Sequence, residues 1–179
     1  MSFALSPDQR WASSGLPKPP VQFNLLPTGA GESRELTHDQ VNRLWARWFP
    51  DGKRILFSAD ESGKGVRLYV QLSRSPAKAI TKEGVNGSLI AISPDGKEVA
   101  LVGPDQKPAL LTWTAVRFVA IPGLGAGEAP IAWSSDGHSL FVYRLGEVPA
   151  IVNKLNFRHG PQTSLETARS ARRVRRHRH

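Results

Sequence analysis

The chain has 179 residues, 40% apolar and 22% charged, the make-up of one ordinary globular domain or part of one. It has no cysteine, which excludes disulfides and thiolate metal sites, and apolar runs such as Val148–Val152 are too short to span a bilayer. The net charge of +9 is uneven: residues 167–179 hold six arginines and no acid, so residues 1–166 carry +3, from 18 basic and 15 acidic side chains.

The first residues, MSFALSPDQRW, show no basic region followed by an apolar core. No secretory signal is read there, and the expectation leans toward the cytoplasm. The stretches FALS, RWASS, VQFNLLP and SRELTHD read as four short strands, the first two joined by Pro7-Asp8-Gln9. The second unit is clearer. LWARWF leads into a Pro50-Asp51-Gly52 turn, RILFSA follows, DESGKG turns back, VRLYVQLS alternates apolar and polar, and AKAITKEG closes the unit as an edge. The third unit runs SLIAIS, KEVALVG, PALLTWTAV and RFVAIPG around Pro94-Asp95-Gly96. Between its last two strands no Gly, Pro, Asn or Asp marks a turn. The fourth runs APIAWS, HSLFVYRL and AIVNKLNF around Ser135-Asp136-Gly137.

The turn aspartates Asp8, Asp51, Asp95 and Asp136 are 43, 44 and 41 residues apart. A period of 40 to 45 residues with strand content is that of a four-stranded propeller blade. The fold expected is therefore all-β: a partial β-propeller of about four four-stranded blades, at 1–41, 42–85, 86–127 and 128–158. The last blade is expected to be incomplete, and residues 159–179 to form a disordered basic tail. After Phe157 the composition changes abruptly, as a frameshifted reading of GC-rich DNA would produce.

The turn residues explain themselves structurally. Proline presets φ for a type I turn, as at Pro50 and Pro94. Aspartate accepts hydrogen bonds from nearby backbone N–H groups. Glycine, at Gly52, Gly96 and Gly137, takes the left-handed position of the hairpin bulge. Gln9 stands at that position in the first unit, so a less well formed hairpin is expected there. A catalytic aspartate would need a recurring base, nucleophile or metal ligand beside it, and none recurs.

WFPDGKRILFSADESGKGVRLYV and ISPDGKEVALVG resemble the WD-like β-propeller repeats of the TolB type. GVRLYVQ, IAWSSDGHSLFVYRLGEVPA and VNKLN look most like the propeller segment C-terminal to the kinase domain in bacterial eukaryotic-type serine/threonine kinases. The resemblance implies a sensory or interaction platform with an unidentified protein partner. It does not carry kinase activity, because no glycine-rich loop with a strand lysine, no His-Arg-Asp and no Asp-Phe-Gly is present. Related repeats close with six or more blades, so four imply open ends that another part of a ring, or a second copy, would cover.

No G-x-S-x-G elbow is present, and the five histidines are not spaced as metal ligands. No catalytic residue, metal site or cofactor is expected. Trp48 and Trp133 hold equivalent positions before their turns and read as packing between blades, with Trp45 and Trp113 on or beside strands. The function expected is a non-catalytic protein- or ligand-binding scaffold, part of the sensor region of a signalling kinase. An accessory propeller of a hydrolase or other enzyme, with its catalytic domain elsewhere, is the alternative. A third reading gives Arg172, Arg173, Arg175, Arg176 and Arg178 a role in binding a polyanion such as nucleic acid.

Overall fold

The computed structural model describes residues 2–15, 18–37, 40–61, 64–72, 75–85, 87–157 and 163–166. These residues form sixteen strands and no helix, so none is long and apolar enough to cross a membrane. The strands make four antiparallel four-stranded sheets, each in chain order. The first holds β1 (Ser2–Leu5), β2 (Trp11–Gly15), β3 (Phe23–Pro27) and β4 (Arg34–Glu35). The second holds β5 (Val41–Trp48), β6 (Arg54–Glu61), β7 (Arg67–Leu72) and β8 (Lys78–Ala79). The third holds β9 (Ile90–Ile92), β10 (Glu98–Val102), β11 (Pro108–Thr112) and β12 (Arg117–Ala120). The fourth holds β13 (Glu128–Trp133), β14 (Ser139–Arg144), β15 (Val152–Phe157) and β16 (Thr163–Glu166).

Apolar cores lie between consecutive sheets, and the period of two along each strand decides which core a residue enters. In β6, Ile55, Phe57 and Ala59 join Phe23, Ala46 and Tyr69 against sheet one. The intervening Leu56 joins Phe49, Leu68, Val70, Val99, Leu101 and Leu111 against sheet three. Ile55 to Ala59 is therefore buried without interruption, as a strand covered on both faces must be. Sheet three repeats the arrangement, giving Val99 and Leu101 to sheet two and Ala100 to sheet four, where Leu140, Val142 and Leu155 meet it. Each fully buried Leu or Phe contributes roughly 1.5–3 kcal/mol.

Sheets one and four have one covered face each. Phe23 faces sheet two, whereas Leu5 and Leu26, both opposite Ala12 in register, are 58% and 43% exposed. Leu140 and Val142 are buried against sheet three, and the alternate Phe141 and Tyr143 are only half-buried. Among the described residues, three buried apolar clusters join the four sheets, and none joins the fourth to the first.

Two sequence expectations change. Sheet four is not short of a strand: β16 pairs with β15, placing Leu165 opposite Leu155 and Thr163 opposite Phe157. An edge strand needs a partner on one side only, so the four residues TSLE suffice without a strong apolar pattern. The first hairpin is fully formed. Gln9 takes the left-handed conformation at φ 58°, and the bonds Gln9 N–H to Ser6 O and Ser6 N–H to Trp11 O are both 2.8 Å. The missing glycine changes the energy of that turn, not its geometry. The third sheet turns from β11 to β12 through Trp113–Val116, with Val116 at φ 51° doing what glycine does elsewhere.

Candidate functional site

The β1–β2 type hairpin of each sheet carries the repeated aspartate. Its Oδ1 accepts from the backbone N–H two residues on: Arg10 at 3.1 Å from Asp8, Lys53 at 2.9 Å from Asp51, Lys97 at 3.0 Å from Asp95, and His138 at 2.9 Å from Asp136. A serine two positions before the aspartate completes the turn. Ser6, Ser93 and Ser134 donate to Asp8, Asp95 and Asp136 at 2.6, 2.6 and 2.5 Å. Each of these hydroxyls also accepts the N–H of the returning strand, from Trp11, Glu98 and Ser139. The donated serine bond is the main reason why the carboxyls of Asp8, Asp95 and Asp136 lie below the ordinary aspartate value. In sheet two the serine is replaced by Phe49, and the Arg54 guanidinium donates to Asp51 Oδ2 at 2.6 Å instead. Burial pushes Asp51 upward, but the N–H groups of Lys53 and Arg54 and the Arg54 side chain together hold it low.

The four turns lie side by side. A Cβ added to Gly52 would sit 3.8 Å from Pro7 Cδ, one on Gly96 3.7 Å from Pro50 Cδ, and one on Gly137 3.7 Å from Pro94 Cδ. Each proline thus rests on the glycine of the next turn, and the hairpins make one continuous rim. The three glycines have φ of 65°, 69° and 72°, where a Cβ is strained.

Beneath the rim, clefts open between neighbouring sheets, and their contents differ. Between sheets one and two a hollow of about 130 Å³ lies between Trp11, Trp48 and Gln71. Deeper in that interface Arg43 is 1% exposed, its guanidinium 5.3 Å from the Phe23 ring and 5.1 Å from Phe57, donating to Val41 O at 2.9 Å. Between sheets two and three the Arg54 guanidinium lies 4.5 Å from Phe49 and 4.8 Å from Trp113, whose Nε1 donates to Gly96 O at 2.9 Å. Between sheets three and four lies a cavity of about 540 Å³, lined by Asp95, Glu98, Trp133, Asp136, His138 and Phe157. Trp133 and Phe157 stack at 5.2 Å, and Trp133 Nε1 donates to Ala91 O at 3.0 Å, fastening sheet four to sheet three.

Trp48, Trp113 and Trp133 therefore sit between sheets, while Trp45 is 46% exposed on β5. Among the described residues no three His, Asp or Glu side chains come together as metal ligands. Arg172, Arg173, Arg175, Arg176 and Arg178 lie outside the described residues. Sequence reasoning did not find Arg43 or Glu98. Arg43 interrupts an aromatic-rich strand, and Glu98 stands three residues after a turn aspartate where its counterpart is Arg54.

No family model matches the chain, and no curated protein matches it in sequence. Its structure is similar to that of TolB from Acinetobacter baumannii, with a TM-score of 0.68 and 16% identity over 88% of this chain and 41% of that one. It is similar to a protein assigned as TolB from Agrobacterium tumefaciens, with a TM-score of 0.63 and 14% identity over 87% of this chain and 57% of that one. A puromycin hydrolase is also similar, with a TM-score of 0.56 and 16% identity over 87% of this chain and 26% of that one. The chain spans about half or less of the length of these proteins. What it shares with them is the fold, that of the TolB-like β-propeller.

Proposed function

We propose that the chain is a non-catalytic scaffold that binds a protein or peptide partner in the clefts between its blades. One observation carries this reading. The repeated aspartates, the residues with the strongest pattern, spend their carboxylates on their own turns, whereas the cleft beside Asp95 and Asp136 is concave and lined by Trp133 and Phe157. We assign the chain to the sensor or interaction part of a bacterial signalling kinase, on the likeness of GVRLYVQ and IAWSSDGHSLFVYRLGEVPA to that segment. A kinase domain encoded in the same frame beside this chain supports the assignment, and a hydrolase domain there supports the alternative.

That alternative, an accessory propeller of a hydrolase, is favoured by the likeness to puromycin hydrolase, of which this chain matches 26%. Self-association belongs to the scaffold reading as well, through the end face that exposes Leu5 and Leu26. Panning random peptides against the immobilised chain, followed by hydrogen exchange of the complexes, tests the scaffold. Protection at cleft residues is the expected result. Selected peptides that protect no cleft residue, or ester or glycoside turnover by the purified chain, overturn it.

A further inference from the structure

The repeat supplies an internal comparison between two clefts. Arg54 and Glu98 both stand three residues after a turn aspartate. In register, Arg54 pairs with Leu72, Glu98 with Thr112 and Ser139 with Asn156, so Trp113 and Phe157 are equivalent residues of successive sheets. Between sheets two and three, Arg54 fills the space at this level, held between the rings of Phe49 and Trp113. Between sheets three and four both filling groups are smaller. Ser93 stands where Phe49 does and Glu98 where Arg54 does, and the 540 Å³ cavity is the result. The aromatic wall remains, and is doubled by the Trp133–Phe157 stack.

The carboxylates around this cavity are not alike. Asp95 is held by Ser93, with Lys97 Nζ at 3.6 Å, and Asp136 is held by Ser134 with Lys154 nearby. Glu98 makes no side-chain hydrogen bond or ion pair among the described residues. The cavity is thus lined by two stacked aromatic side chains and by a carboxylate, Glu98, with no side-chain partner among the described residues.

We propose that the cleft between the third and fourth blades binds an arginine side chain of a peptide partner, its guanidinium lying on the Trp133–Phe157 stack and donating to Glu98. A planar guanidinium suits both surfaces at once, stacking on aromatic faces and meeting a carboxylate through two N–H groups. The ligand arginine takes the place that Arg54 holds one cleft earlier. This deepens the scaffold reading and rests on it.

Calorimetric titration of the full chain with acetyl-Gly-Arg-Gly-amide, and with its lysine and citrulline counterparts, tests the proposal. The arginine peptide binds, the lysine peptide binds roughly tenfold more weakly without the stacking, and the uncharged citrulline peptide weaker still. Glu98→Gln weakens the arginine peptide roughly tenfold by removing a charged hydrogen bond, with the Tm unchanged because Glu98 has no ion pair to lose among the described residues. Phe157→Leu weakens it several-fold. The Trp133 indole N–H resonance shifts on titration and reports the location independently. Equal affinity for the three peptides, an unchanged affinity in Glu98→Gln, or no binding overturns the proposal. Panned peptides that protect a different cleft overturn this site while leaving the scaffold reading intact.

Discussion

Among the described residues, three that are not glycine adopt positive φ, namely Gln9 at 58°, Gln106 at 62° and Val116 at 51°. Val116 is the most strained, since a β-branched side chain crowds the carbonyl in that region. It is 49% exposed, so its removal loses little packing. Val116→Gly should stabilise the chain by about 1 kcal/mol, read from the urea midpoint at an unchanged m-value. A loss of stability would mean that the flanking strands, not the turn, set this φ. The turn serines act in the opposite sense. Ser93→Ala should cost about 1 kcal/mol at neutral pH by orphaning one N–H and one carboxylate acceptor. Because Asp95 is held below its ordinary value, its contribution is complete above about pH 4 and is lost as pH falls through the lower folded value. The gap between variant and parent should therefore narrow in unfolding curves at pH 2.5, and a constant gap would remove the serine from that account. The aspartates could be read from sequence because they recur at blade period. The serines could not, because Phe49 breaks their series and only the hydrogen bonds show Arg54 doing the same work.

At the scale of elements, pairing overrides local preference in two places. β11 and β12 turn without any turn residue because four cross-strand pairs hold them, and β16 forms in a stretch whose composition breaks from the repeat. A fifth aspartate turn, off the blade period, joins β10 to β11. There Asp105 Oδ1 accepts from Lys107 N at 3.2 Å and Gln106 takes the left-handed position. Asp105 lies only ten residues from Asp95, so nothing in the blade period marks it, while its chemistry is that of the other turns. The link from β8 to β9 is constrained by contact instead. A Cβ on the buried Gly87 would lie 2.5 Å from Ser58 Cβ and 3.1 Å from Ile90 Cδ1, so this segment crosses β6 with no room to spare. Gly87→Ala should cost roughly 2 kcal/mol by overpacking. Gly125→Ala, where nothing lies within 4 Å, is the control and should shift the thermal midpoint little. Equal shifts in the two variants would show that the β8–β9 link yields freely.

At the scale of the molecule, the question is how four blades share stability when three apolar interfaces join them. The inner blades are buried on both faces and the end blades on one. This difference is faintly legible in the sequence, where RILFSA and KEVALVG are denser in buried apolar residues than RWASS. Which face of each strand meets which neighbour was not legible, because a period of two assigns residues to faces without saying what covers them. An array whose units touch only their neighbours has a stability that is a sum of unit and interface terms, and it opens from its ends. Leu140, fully buried in the cluster between sheets three and four, tests this. Leu140→Ala should cost roughly 3 kcal/mol through a cavity at the last interface. The loss should be local: in native-state hydrogen exchange, amides of β13–β15 lose protection while those of β5–β7 keep theirs. The matching substitution in the middle, Leu56→Ala, strikes the interface that links the two halves and should lower protection in β5–β7 and β10–β11 together. If Leu140→Ala lowered protection evenly in all four sheets, the blades would be behaving as a closed, cooperative ring. The exposed Leu5 and Leu26 would then need a partner surface within the same molecule or a second copy to explain that cooperativity.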